Sequence, residues 1–150
     1  MNNEEKNELI RIVIDLNILL MKYIEIDNAL VNSRNFSLDP ILTQVDFLIL
    51  HKDADNILKQ IDILIEELAE LDKLLISDKC EFLTVLQKYS SSLRITVHIL
   101  VKILDKLFER SQGSLNYSYK KYDYYCYNYI LSIANCKQMG ELSNIKFNEF

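Results

Sequence analysis

Glycine and proline are nearly missing from this chain, two and one in 150 residues. A sheet-rich fold of that length turns back on itself many times and draws on both residues there. Their scarcity favours long helices with few connections. No glycine-rich stretch exists that could wrap a phosphate. No uncharged run reaches the roughly 18 residues of a membrane helix. Even the greasiest segment, 9–31, is broken by Arg11, Asp15, Lys22, Glu25 and Asp27. Membrane insertion is therefore not expected. Cysteine is limited to Cys80, Cys126 and Cys136, an odd number without a Cys-x-x-Cys pair. Neither a disulfide framework nor a zinc site follows from that spacing. The start, MNNEEKNE, lacks the basic and apolar parts of a secretory signal, so a reducing, cytoplasmic setting is expected. The formal net charge of −5 disfavours a protein that grips phosphate backbones, so nucleic acid is not the expected partner.

What is present is apolar periodicity. Hydrophobic residues are 49% and charged residues 26%, an ordinary globular balance, and the expectation is a single domain over 1–150. Phe47, Leu50, Ala54, Ile57, Ile61, Leu64, Leu68, Leu71 and Leu75 alternate steps of three and four without a miss. That seam belongs to a rod roughly 45 Å long that faces other helices. Asp39 followed by Pro40 reads as its cap and first residue, which predicts a helix over about 40–76.

The first helix is predicted over about 4–32, with Ile12, Leu16, Leu19, Tyr23, Ile26 and Leu30 as its seam. Leu9, Val13, Leu20, Ile24 and Val31 make a second line, and Ile10, Ile14, Ile18 and Met21 widen the apolar arc further. A helix so greasy is expected to sit centrally in a bundle; the second reading is a partner outside the chain. Asp78 with Glu81 resembles a capping box and starts a third helix over about 78–112. Its seam is Phe82, Leu86, Tyr89, Leu93, Thr96, Leu100, Ile103 and Leu107, weakened at Ser90, Ser91 and Ser92.

Tyr122, Tyr125, Tyr129, Ile130, Ile133 and Ala134 share a face of a fourth helix over about 116–139, ending at Gly140. The same stretch alternates well as a strand, but a lone strand has nothing to pair with in a helical fold. Residues 141–150 are expected to be a loosely held tail. The predicted fold is all-α, an antiparallel up-down bundle of four main helices.

Candidate chemistry is sparse. Arg94 and His98 form an Arg-x-x-x-His pair in the third helix. The pair resembles the Arg/His signature of the helical HEPN ribonucleases, with a shorter spacing than is usual there. The resemblance implies an RNA-cleaving site in which Arg94 and His98 handle the scissile phosphate. From spacing alone, Arg94, His98, Lys102, Asp105 and Glu109 instead make a solvated polar line opposite the leucine seam. His51 beside Leu50 resembles the exposed histidine of helical phosphotransfer domains, but the small neighbours of that family are missing. The acidic stripe of Glu66, Glu67 and Glu70 lacks the Glu-x-x-His pattern of di-iron bundles. No metal and no cofactor are expected.

Seven of the nine tyrosines fall between Tyr117 and Tyr129, interleaved with Lys120 and Lys121. Such a cluster can stack on single-stranded bases, form a protein interface, or cap the bundle with hydroxyls outward. The leading reading is a non-enzymatic interaction protein, an adaptor, inhibitor or subunit that binds another protein or itself. Its expected surface is Ile10, Ile14, Ile18 and Met21 with Tyr117, Tyr119, Tyr122, Tyr124 and Tyr127. Abundant Asn, Ile, Lys and Tyr suit an AT-rich genome, and a viral or phage origin, acting in a host cytosol, is an expectation from composition alone.

Overall fold

The computed structural model describes residues 1–35, 46–75, 80–115 and 117–150, the last four of the first segment by backbone only. The described residues form an all-α four-helix bundle: α1 (Asn3–Asn35), α2 (Phe47–Leu74), α3 (Glu81–Ser111) and α4 (Tyr119–Glu149). Ion pairs and ring contacts fix the directions. Arg11 near the start of α1 meets Glu67 near the end of α2. Phe82 at the start of α3 packs on Phe147 and Phe150 at the end of α4, with ring centroids 5.6 and 5.2 Å apart. Lys6 lies 4.9 Å from the Phe150 ring. Sequential neighbours are therefore antiparallel.

The seams predicted for the first three helices are the core. Ile12, Leu16, Leu19, Tyr23, Ile26 and Leu30 are all buried, as is the α2 line from Ala54 to Leu75 and every seam position of α3. The boundaries differ in places. Asp46 is extended and caps α2, accepting from the Leu48 and Ile49 amides, so that helix begins at Phe47 rather than Pro40. Helix α3 begins at Glu81 behind an extended Cys80. The proposed caps at Asp39–Pro40 and Asp78 lie outside the described residues. Asn2 and Glu5 form a reciprocal capping box at the start of α1 that the periodicity did not expose, at 2.8 and 2.9 Å.

Two expectations are corrected. The first placed the greasy first helix in the centre, but α3 holds that place. Fifteen of its 31 residues are buried, against seven of 28 in α2 and three of 31 in α4. The polar groups explain the difference. Those of α3 that face inward are Ser90, Ser92 and Thr96, whose hydroxyls donate back to the carbonyls of Gln87, Tyr89 and Ser92. Arg11, Asp15, Lys22 and Glu25 of α1 have no such internal solution and stay toward water.

The second concerns the end of the chain. Helix α4 does not stop at Gly140, and residues 141–149 are not a loose tail but its last turns. A Cβ at Gly140 would lie 3.1 Å from Tyr89 Cε2. Gly140 marks close helix packing, not a terminus. Beyond it, Ser143 is buried and Lys146 Nζ reaches Glu81 Oε1 at 3.1 Å. The fourth helix also starts later than Asn116: Ser118 caps it, accepting from the Lys121 amide.

Candidate binding groove

Helices α1 and α4 are edge neighbours that do not close on each other. Among the described residues, no Cα of α1 lies within 8 Å of a Cα of α4, although both helices pack on α3. The gap is a groove of about 710 Å³. Val13, Leu20 and Ile24 form its α1 wall, and Ile133, Gly140 and Phe147 its α4 wall. Leu86, Tyr89 and Thr96 of α3 make the floor. Its volume and apolar lining are those of a site that takes up an apolar group.

One end of the groove is bridged. Tyr129 of α4 donates its hydroxyl to Asp27 Oδ1 at 2.6 Å and lies 2.6 Å from the Tyr23 hydroxyl of α1. Burial is the first reason that both phenols titrate above their ordinary range. Burial does the same to Tyr89. It also raises the Cys136 thiol, against the opposing effect of hydrogen bonds with Ser92 and Thr96. Tyr23, Asp27, Tyr89, Tyr129, Cys136 and Gly140 were not chosen from sequence as site residues. The usable signals were a glycine inside a helical pattern and tyrosines on buried seams, which need hydroxyl partners.

The apolar face continues from the groove over the outside of α1. Ile14, Ile18 and Met21 are 54, 46 and 65% exposed, unusual for three large apolar side chains on one side of a helix. Ile14 also lines the groove, and Ile18 shares a shallower hollow between α1 and α2 with Ile63. Ile10 is half-buried.

The tyrosines divide. Tyr119, Tyr124 and Tyr127 are exposed, and the last two line a separate depression with Lys120 and Ile130. Tyr122 packs against the core, and the half-buried Tyr117 has an enclosed hydroxyl without a hydrogen-bond partner among the described residues. The face predicted for α4 holds at Tyr122, Tyr125, Tyr129 and Ile133, whereas Ile130 and Ala134 point to solvent.

The residues singled out for chemistry stand apart from the groove. The Arg94 guanidinium of α3 pairs with Asp62 of α2, and His98 is exposed one turn on. His51 is half-buried on α2. None of the four helices is long and apolar enough to cross a membrane among the described residues. No family model, no curated protein and no solved structure matches this chain. Geometry alone carries the functional reading.

Proposed function

We propose that this chain is a non-enzymatic interaction protein, working through the outer face of α1 and the adjoining groove, with another polypeptide as partner. One observation carries the reading. Helix α1 is apolar around most of its circumference yet packs against its own chain on one side, leaving Ile14, Ile18 and Met21 exposed beside an open groove. Single exposed apolar residues are commonplace, whereas a contiguous row joined to a groove is what helix-recognising surfaces offer.

The test replaces Ile14, Ile18 and Met21 together with glutamine. A free surface predicts that the variant keeps its helical circular dichroism and its cooperative melt. It also predicts that an apolar dye fluoresces more with the wild type than with the variant. If the variant loses its cooperative melt, the row is packed within the chain and the reading fails.

A further inference from the structure

We propose that the partner of the α1 face is a second copy of this chain, the two α1 helices running antiparallel about a two-fold axis near Ile18. The inference rests on the interaction reading above and names its partner.

The row is self-complementary. Outward from Ile18, an exposed apolar side chain follows about one turn away in each direction, Ile14 one way and Met21 the other. A two-fold axis there sets Ile18 against its own counterpart and places Ile14 of each copy beside Met21 of the other. Closed two-fold contacts require such a patch, because each surface must fit itself.

Charge selects the direction. Asp15 and Lys22 are seven residues apart, so they share one stripe beside the apolar row. Asp15 binds Arg11 at 2.7 Å, while Lys22 has no acidic partner among the described residues. In an antiparallel pair each flank meets the same flank of the other helix. An axis near Ile18 therefore brings Lys22 of each copy toward Asp15 of the other, twice per dimer. Parallel helices would set this flank against the opposite flank of the other copy, so Lys22 and Asp15 would not meet.

A single helical row is narrow beside the roughly 800 Å² per partner of a standard interface. Here the row is flanked on one side by the α1–α4 groove and on the other by the hollow holding Ile63. A second copy laid along α1 covers apolar surface on both sides of the row.

Light scattering over a concentration series is expected to show a dimer. Ile18→Glu, which sets two carboxylates together at the axis, should weaken association at least a hundredfold while leaving the melt of the monomer intact. Lys22→Glu and Asp15→Lys should each weaken it on the order of fivefold, as two exposed ion pairs are lost, and the two combined should restore it. Association that ignores Ile18→Glu or the single charge reversals overturns the proposal, as does a combined variant no better than either single one. A wild type that stays monomeric also overturns it but leaves the interaction reading standing. Loss of the fold in the three-glutamine variant removes both.

Discussion

The Tyr23 hydroxyl donates to the Tyr129 hydroxyl across the gap between α1 and α4. The direction follows from proton count: Tyr129 has one hydroxyl hydrogen, and it goes to Asp27 Oδ1. Tyr129 is therefore both donor and acceptor, and Tyr23 only a donor among the described residues. These two hydrogen bonds span one end of the groove between α1 and α4.

Unequal losses are expected from removing the two hydroxyls. Tyr129→Phe strips Asp27 of its donor and Tyr23 of its acceptor, and should lower stability by about 2–3 kcal/mol. Tyr23→Phe leaves the Tyr129–Asp27 bond in place and should stay near 1 kcal/mol, the net worth of one hydrogen bond. Urea unfolding of both variants checks the ranking; an equal or reversed order would contradict the assigned direction.

At Gly140 two effects oppose each other. Alanine in a helix interior is favoured over glycine by about 1 kcal/mol. The new methyl would sit 3.1 Å from Tyr89 Cε2, so the ring must give by a few tenths of an ångström. Gly140→Ala should therefore gain less than that 1 kcal/mol. Gly140→Ile, which adds branched bulk at the Cβ that already presses on the Tyr89 ring, should lose more than about 1 kcal/mol. Thermal melts of the pair decide this.

Alkaline pH should destabilise the fold. Burial raises the folded-state values of Tyr23, Tyr89, Tyr129 and Cys136, while unfolded thiols and phenols titrate near pH 8.5 and 10. Below that range both states hold these protons and the contribution is complete. As pH rises through it, the unfolded chain releases protons that the folded chain keeps, so stability falls. Tyr89→Phe should make the decline between about pH 10 and 12 shallower, because one fewer group is released on unfolding. Urea midpoints measured against pH test this; a slope unchanged by the substitution would contradict it.

The periodic positions were legible because a helix repeats its burial every three or four residues. Leu64, Leu68 and Leu71 announce themselves whatever lies opposite. What lies opposite was not legible. Whether α1 or α3 takes the centre depends on whether Arg11 or Ser92 is easier to bury, and that depends on bonds closing to Glu67 or to a carbonyl one turn back. Gly140 read as a stop because glycine ends helices more often than it lines them; only the Tyr89 ring across from it reveals the other use. The groove was invisible for the same reason, being a property of two helices and not of either.

For Arg94 and His98, replacement of both by alanine should lower stability by less than about 1 kcal/mol. The Arg94–Asp62 pair is substantially solvent-exposed, and His98 is exposed too. Wild-type protein incubated with single-stranded RNA should leave it intact. Cleavage that disappears in the double variant would favour the ribonuclease reading over the interaction one.

The central position of α3 has a consequence for how the molecule breathes. Its amides are shielded by neighbours on several sides, so their hydrogens exchange with solvent only when the whole bundle comes apart. Helix α1, resting chiefly on α2 and tied to α4 by two phenols and the ring over Lys6, can lift away at a smaller free-energy cost. In the undimerised chain isotope uptake should therefore begin along α1, the helix offered to a partner, while α3 still holds its protium.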